Sequence, residues 1–563
     1  GNAIEICDGA GNWTAITGGG GSSIDDLSDG IADYATLYNV FLGDLTGTAT
    51  TTGTYNTALG YNALHANVAG NKSTAIGYGA MAYANSTAVG FDANNTAIGY
   101  RALHGTHMAI NNTGTDNTAV GASALISNKN GVRNVAVGSS ASYRNSDPNG
   151  NIAVGYNALL NHDCCGSRVF GSGYNVAIGT SALEGPWAAG NTGTENVGIG
   201  HSVMYSNTSG SQNVAVGGES TMFSNTTGSD NVAIGKASLG TNVAGNQSVA
   251  VGYEAMLYAD STAVSTTTYN TALGYGALRG TSTASNNTGT QHTALGHSSL
   301  WGNSSGAMNT AVGYSSLSDN TLGTSNVAIG TSALKTNVAG NYSTAIGFEA
   351  MRYAYSGGAG DDTFNTAVGA RALRGSVLPA LNTGSANTAV GYMALYSNRT
   401  GSSNVAIGSS SAITPSPLQS NTTGDYNMAI GQGALSTNVS GTGNVAIGIS
   451  ALRNSTGDTN VAVGDSALRD NSSGTNNVAI GNGAGYGALG VGANTTASNN
   501  TYVGYRTRTS DGANNTNSTA LGNQARITNS NQIVLGNTSI AEIRAQVTSI
   551  TAISDMRLKK DIK

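Results

Sequence analysis

Cys164 and Cys165 directly follow His162 and Asp163, the closest grouping of potential metal ligands in the chain. Thiolate and imidazole suit zinc-like ions, and adjacent thiols also suit a cross-link between chains. A reduced or buried pair in an outward loop is the simpler reading. Three cysteines (with Cys7) are too few for a disulfide framework. The histidines at 65, 104, 107, 162, 201, 292 and 297 show no ligand spacing, and His104 and His107 read as a solvated loop pair. Gly357-Gly358-Ala359-Gly360-Asp361-Asp362 matches one turn of a calcium-binding nonapeptide array. Such sites draw oxygen ligands from successive turns, so an outward loop is expected instead. Gly485-Tyr486-Gly487-Ala488-Leu489-Gly490 has the spaced glycines of a dinucleotide loop, without the helix or acidic residue that loop requires. Glycoside cleavage needs two facing carboxylates, and the 29 Asp and Glu form no recurrent pair. Neither cofactor nor metal is expected, and the long central region is not expected to be an enzyme.

The organising element is Asn231-Val232-Ala233-Ile234-Gly235, followed by Lys236-Ala237-Ser238-Leu239. It recurs about 27 times, most often at a step of 17 residues, as from Gly296 to Gly313, Gly330 and Gly347. A short period sustained this long means stacked coils. Five residues of alternating, β-branched character predict a strand. Val232 and Ile234 then share one face and Asn231 and Ala233 the other. The expectation is that Val and Ile fill a narrow interior, while Ala and Asn pack against another chain or from coil to coil. The Asn column is expected to be a ladder of stacked amides. The closing Gly marks a corner that needs positive φ or no Cβ. A second short segment, as in Ser181-Ala182-Leu183, and a turn such as Ser224 to Gly228 complete the coil, giving two short strands and two turns. Steps of 17, 13, 9 and 22 run from Gly60 through Gly77, Gly90 and Gly99 to Gly121, and again from Gly235 through Gly252, Ser265 and Gly274 to Gly296. Blocks of several coils were therefore duplicated. The predicted class is all-β, a repetitive parallel β-roll or β-solenoid.

Charged residues are only 9% of the chain, and the net charge of −6 is spread without a basic stripe. That disfavours nucleic acid, whose phosphates demand clustered Lys and Arg. No apolar run reaches the roughly 18–20 residues of a membrane span, so no membrane insertion is expected. Residues 1–17 read as a small β-hairpin around Asp8-Gly9, 18–50 as linker and neck, 51–536 as the β-roll shaft, 537–553 as a stem and 554–563 as the start of a further domain. Tyr61, Tyr78, Tyr100, Tyr156, Tyr253, Tyr275, Tyr314 and Tyr392 often follow the corner glycine, suiting stacking between coils or, alternatively, a glycan-binding stripe. The long steps around 101–117, 156–175, 275–292, 351–365, 370–387 and 408–427 must loop outward and are the expected places for recognition.

Two stretches resemble known families. The Asn-Val-Ala-Ile-Gly coils resemble the heads of trimeric autotransporter adhesins, which are left-handed parallel β-rolls packed three around an axis. Ser554-Asp555-Met556-Arg557-Leu558-Lys559 resembles the opening of the endosialidase-type intramolecular chaperone at the C-terminus of phage tail fibres and tail spikes. Ile543 to Ile553 resembles the stem before that domain. The second resemblance implies self-cleavage between Ile553 and Ser554, with Ser554 as nucleophile and Lys559 as its partner, chemistry that an activated hydroxyl supports. Together the resemblances imply a homotrimeric fibre of a phage or phage-like particle, extracellular, gripping a host-cell surface glycan or protein receptor and joined to other tail or virion proteins at its N-terminal end. A cellular trimeric adhesin and a polysaccharide-degrading tail spike are the alternatives. An assembly chaperone also suits near-identical coils, for which a shift of one repeat costs little.

Overall fold

In a computed structural model, the chain is described at the strands 5–7 and 13–15 and over residues 38–542, apart from 51, 84–88, 106–111, 145, 148, 162–172, 187–191, 259–263, 284–285, 355–360, 412, 487–495 and 511–513. It is all-β and divides into two compact units, Gly1–Asp362 and Thr363–Lys563. Among the described residues, the first unit stacks seventeen three-residue strands, from Val40–Leu42 to Thr344–Ile346. The second stacks ten, from Thr366–Val368 to Ile533–Leu535. Every pairing in these ladders is parallel and in register: Val232 meets Val249, Ala233 meets Ala250 and Ile234 meets Val251. Glu5–Cys7 and Trp13–Ala15 pair antiparallel, with Cys7 opposite Trp13.

The corner glycine behaves as expected. Gly235 has φ of 116° and Gly330 has 127°, a region closed to most side chains. The second segment of the coil is not the expected strand. In the coil of Asn175, Tyr174, Ser181 and Leu183 all sit at φ between 50° and 59°. The backbone groups remain satisfied across coils, because Ser181 donates to the Tyr156 carbonyl and Leu183 to that of Val203, both at 2.9 Å. A stack of left-handed turns thus replaces a second sheet.

The phrases that close at Gly90 and Ser265 are not coils. Thr74–Ile76 pairs directly with Thr96–Ile98, and Val249–Val251 with Thr271–Leu273. Val89 and Val264 are 75% and 69% exposed, outside the ladder. Each 22-residue coil instead carries an insertion, closed by the short pairs Gly70–Asn71 with Phe91–Asp92 and Gly245–Asn246 with Thr266–Thr267.

The sidedness of the strands is the reverse of the expectation. Asn231 and Ala233 are fully buried, whereas Ile234 is 40% exposed. The interior is Ala from the strand against the Ala-Leu pair of the turn, as in Ala233, Leu239, Ala250, Ala255 and Met256. That space is too thin for a β-branched residue opposite Leu. A Cβ on Gly198, which stands in an Ala column, would already lie 3.2 Å from Leu183 Cγ. The exception proves the volume rule: Tyr502 occupies an Ala position fully buried, and Gly485 stands across from it where other coils carry Leu. A Cβ on Gly485 would sit 2.7 Å from Leu468 and 3.1 Å from the Tyr502 ring, so this glycine is kept for packing rather than for a nucleotide. Burial pushes the Tyr502 phenol far above its ordinary pKa.

Two asparagine columns fasten the interior, as the expected amide ladder. Asn231 Oδ1 accepts the Ser248 N–H at 2.9 Å, and its Nδ2 donates to the Gly245 carbonyl at 2.9 Å. Asn242 reaches the same carbonyl at 3.1 Å and the Asn225 amide oxygen at 3.0 Å. His292 takes one rung of the first column. Its Nε2 meets the Gly306 carbonyl at 2.7 Å and its Nδ1 receives the Asn309 N–H at 3.2 Å, which requires the neutral ring with the proton on Nε2. Burial pushes its pKa down to about 4 from 6.5. The unfolded chain therefore takes the proton first, and stability present above pH 6.5 drains away as pH falls toward 4. His292→Asn is expected to remove a loss on the order of 3 kcal/mol in this window. Urea midpoints of both proteins above pH 6.5 and near pH 4 check it; identical pH profiles would refute it.

Candidate functional site

With Ala and Asn inside, the outer face of each ladder belongs to the residues around them. The last strand position is Val, Ile or Leu in every strand of both ladders, from Leu42 to Ile346 and from Val368 to Leu535. Representative members Leu273, Leu295, Ile329 and Ile407 are 38–46% exposed. The first strand position beside it is mostly Val or Thr, as in Val232 and Thr310. A sheet face that meets water normally turns polar. A continuous aliphatic column free of charge is the signature of a surface that meets another surface.

Aromatic columns flank it. Tyr253, Tyr275, His297 and Tyr314 follow successive corner glycines, with ring centroids 5.3, 4.7 and 5.2 Å apart and planes within 13–26°. Tyr61, Tyr78 and Tyr100 repeat the arrangement at 5.2 and 5.4 Å. On the other side, Tyr38 and Tyr55 stack at 5.0 Å. The rings thus stack from coil to coil, face on face, and turn their edges outward. Sugar stacking uses ring faces, so this geometry favours coil-to-coil cohesion over a glycan stripe.

The other sequence candidates separate. Ser554, Lys559, Ile553, Cys164, Cys165, His162, His107 and Gly357 to Gly360 lie outside the described residues. His104 packs edge-on against Tyr83 at 5.0 Å. Asp362 pairs with Asn341 of the preceding coil, whose Nδ2 donates to its carboxylate at 3.2 Å. Among the described residues, no three His, Cys, Asp or Glu side chains gather as a metal site would require, and no helix is long and apolar enough to cross a membrane. Two long steps carry apolar side chains outward. Val377 and Leu378, beside the short 3-10 helix Pro379–Leu381, are 66% and 60% exposed, and Ile413 is 86% exposed. Asn382 pins the first of these loops through paired bonds of 2.9 and 3.0 Å with Ser376. No family model matches this chain, and no curated protein matches it.

Proposed function

We propose that the chain forms the shaft of a homotrimeric attachment fibre of a phage or phage-like particle. In this reading three chains lay their aliphatic columns against one another. The supporting observation is the Val/Ile/Leu column that runs the length of each ladder, partly exposed and free of charge. Its uncharged aliphatic surface suits self-association, which buries apolar area without needing charge complementarity. The outward loops around Val377 and Ile413 are then the regions that touch a host-cell glycan or protein receptor. The N-terminal end joins other tail proteins, and a chaperone beginning at Ser554 sets the register and cuts itself away with Lys559.

The test is sedimentation of the full chain beside a double variant, Ile234→Glu with Ile329→Glu, which places carboxylates in the column without touching the interior. The wild type is expected to sediment as a trimer. The variant is expected to keep its β-sheet circular dichroism and to associate at least about 100-fold more weakly, near 2.7 kcal/mol. A wild-type monomer, or a trimer indifferent to both charges, would sink the proposal. Intact mass of wild type and Ser554→Ala reports separately on cleavage after Ile553.

A further inference from the structure

Four insertions share one frame: Gly105 to Gly114, Gly185 to Gly193, Gly280 to Gly289 and Gly375 to Gly384. Each is entered through Ala-Leu-x-Gly and left through Asn-Thr-Gly, as in Ala277-Leu278-Arg279-Gly280 and Asn287-Thr288-Gly289. We infer that this frame is a socket and the residues between its ends an exchangeable tip, so that the tip alone sets what each loop contacts. The inference rests on the reading of the outward loops as the contact regions of an attachment fibre.

The two ends of the frame are built alike from copy to copy. Gly105, Gly185, Gly280 and Gly375 stand at φ of 78°, 72°, 81° and 79°, a left-handed conformation that glycine adopts without strain. Their N–H groups donate to the next coil, to the carbonyls of Ile126, Tyr205, Trp301 and Tyr396, at 3.0–3.1 Å. At the far end Gly114, Gly289 and Gly384 donate to those of Lys129, Ser304 and Arg399, each at 2.9 Å. A buried asparagine closes the base. Asn382 Oδ1 accepts the Ser376 N–H at 3.0 Å, and its Nδ2 donates to the Ser376 carbonyl at 2.9 Å. Asn287 makes the same two bonds to Thr281, at 3.0 and 2.9 Å. Asn287 and Asn112 also donate back one coil, to the Tyr258 and Tyr83 carbonyls. A Cβ on Gly280 would lie 2.7 Å from Asn287 Nδ2, and one on Gly105 2.7 Å from Asn112 Nδ2. Glycine and asparagine therefore fit together as one part.

The tip is under no such constraint. Between the ends lie Thr106-His107-Met108-Ala109-Ile110-Asn111, Thr281-Ser282-Thr283-Ala284-Ser285-Asn286 and Ser376-Val377-Leu378-Pro379-Ala380-Leu381. After the leading hydroxyl residue, no position is the same in all three. The copy at Gly185 spaces its ends with Pro186-Trp187-Ala188-Ala189-Gly190 instead. A frame kept while its tip ranges from hydroxyl-rich to apolar points to a fold that reads the frame and not the tip. Burial divides the same way: Gly280, Asn287, Gly375 and Asn382 are buried, whereas Ser282, Thr283, Val377 and Leu378 are exposed. A base closed in advance also lowers the ordering cost of any contact the tip makes.

The experiment compares two variants of the full chain with the wild type by amide hydrogen exchange. One carries the sequence of residues 282–286 in place of residues 377–381, and the other is Asn382→Ala. The tip exchange is expected to leave the Ser376 amide within about threefold of its wild-type rate. Asn382→Ala is expected to speed that amide at least about tenfold, because the N–H loses its acceptor, while the ladder strand Thr388–Val390 keeps its protection. A tip exchange that speeds Ser376 as much as Asn382→Ala does would overturn the proposal, since the tip would then be part of the fold. Asn382→Ala without effect at Ser376 would overturn it as well, and so would a loss of protection that spreads into Thr388–Val390, the mark of a general support rather than a socket. These rates involve neither receptor nor oligomeric state, so a wild-type monomer in sedimentation would sink the fibre reading and leave the socket to be judged by its own outcome.

Discussion

Gly330→Ala should cost the first unit about 3 kcal/mol or more. The residue stands at φ 127°, and a Cβ there would lie 2.6 Å from the Gly347 carbonyl oxygen of the next coil. Two penalties coincide: a backbone region that alanine avoids, and an overlap with backbone that has no rotamer by which to yield. Relief requires separating two coils that bond through the Gly347 N–H to the Ile329 carbonyl at 2.7 Å and through the strand ladder beside it. Gly218→Ala is the control. Its nearest neighbours beyond the adjoining residues are Lys236 side-chain carbons at 3.9 Å, and its cost should stay within about 0.5 kcal/mol. Urea unfolding of both variants measures the difference; similar midpoints would show that the corner does not need glycine.

Asn326→Leu tests the amide ladder and is expected to cost about 3 kcal/mol. Asn326 Oδ1 accepts the Ser343 N–H at 2.9 Å, its Nδ2 donates to the Gly340 carbonyl at 2.8 Å, and the side chain is fully buried. Leucine nearly matches its volume but carries neither group. The Ser343 N–H would be left in the interior with no acceptor, while Gly340 would retain only Asn337, at 2.9 Å. The loss is one of satisfaction rather than of packing, so amide exchange at Ser343 should accelerate along with the fall in urea midpoint. Unchanged protection of that amide would show that the ladder is dispensable at this rung.

The expectations that survived share one property: each depends on residues near one another in the chain. Alternation over five residues is enough for the strand, the glycine at its end for the corner, and the Asn at its start for the ladder. The all-β class and the parallel stacking follow from recurrence, since identical short strands at a fixed step pair with their own copies in register. The second segment misled because Ser181 and Leu183 adopt left-handed turns, a conformation that neither side chain advertises.

What the sequence could not decide was which side of the strand faces in. Alternation is symmetric: Val-Ala-Ile gives the same period whichever face is buried. The choice rests on the element across the interior, where Leu239 and its equivalents fill the space and leave room only for Ala, and on the Asn amides that must be inside to bond backbone. The outer aliphatic column, on which the proposed function stands, is visible in the sequence only as residues assigned to the wrong side. Likewise Arg508 and Arg526, eighteen positions apart, become neighbours only through the register of two short strands. The phrase ending at Gly90 has the spelling of a coil without joining the ladder, since Thr74–Ile76 finds its partner at Thr96–Ile98. By itself the sequence determined the period, the strand, the corner and the ladder, because these are local and repeated. Sidedness, register and the company that charges keep were decided by the tertiary structure, because each is set by what lies across a narrow interior or one coil away.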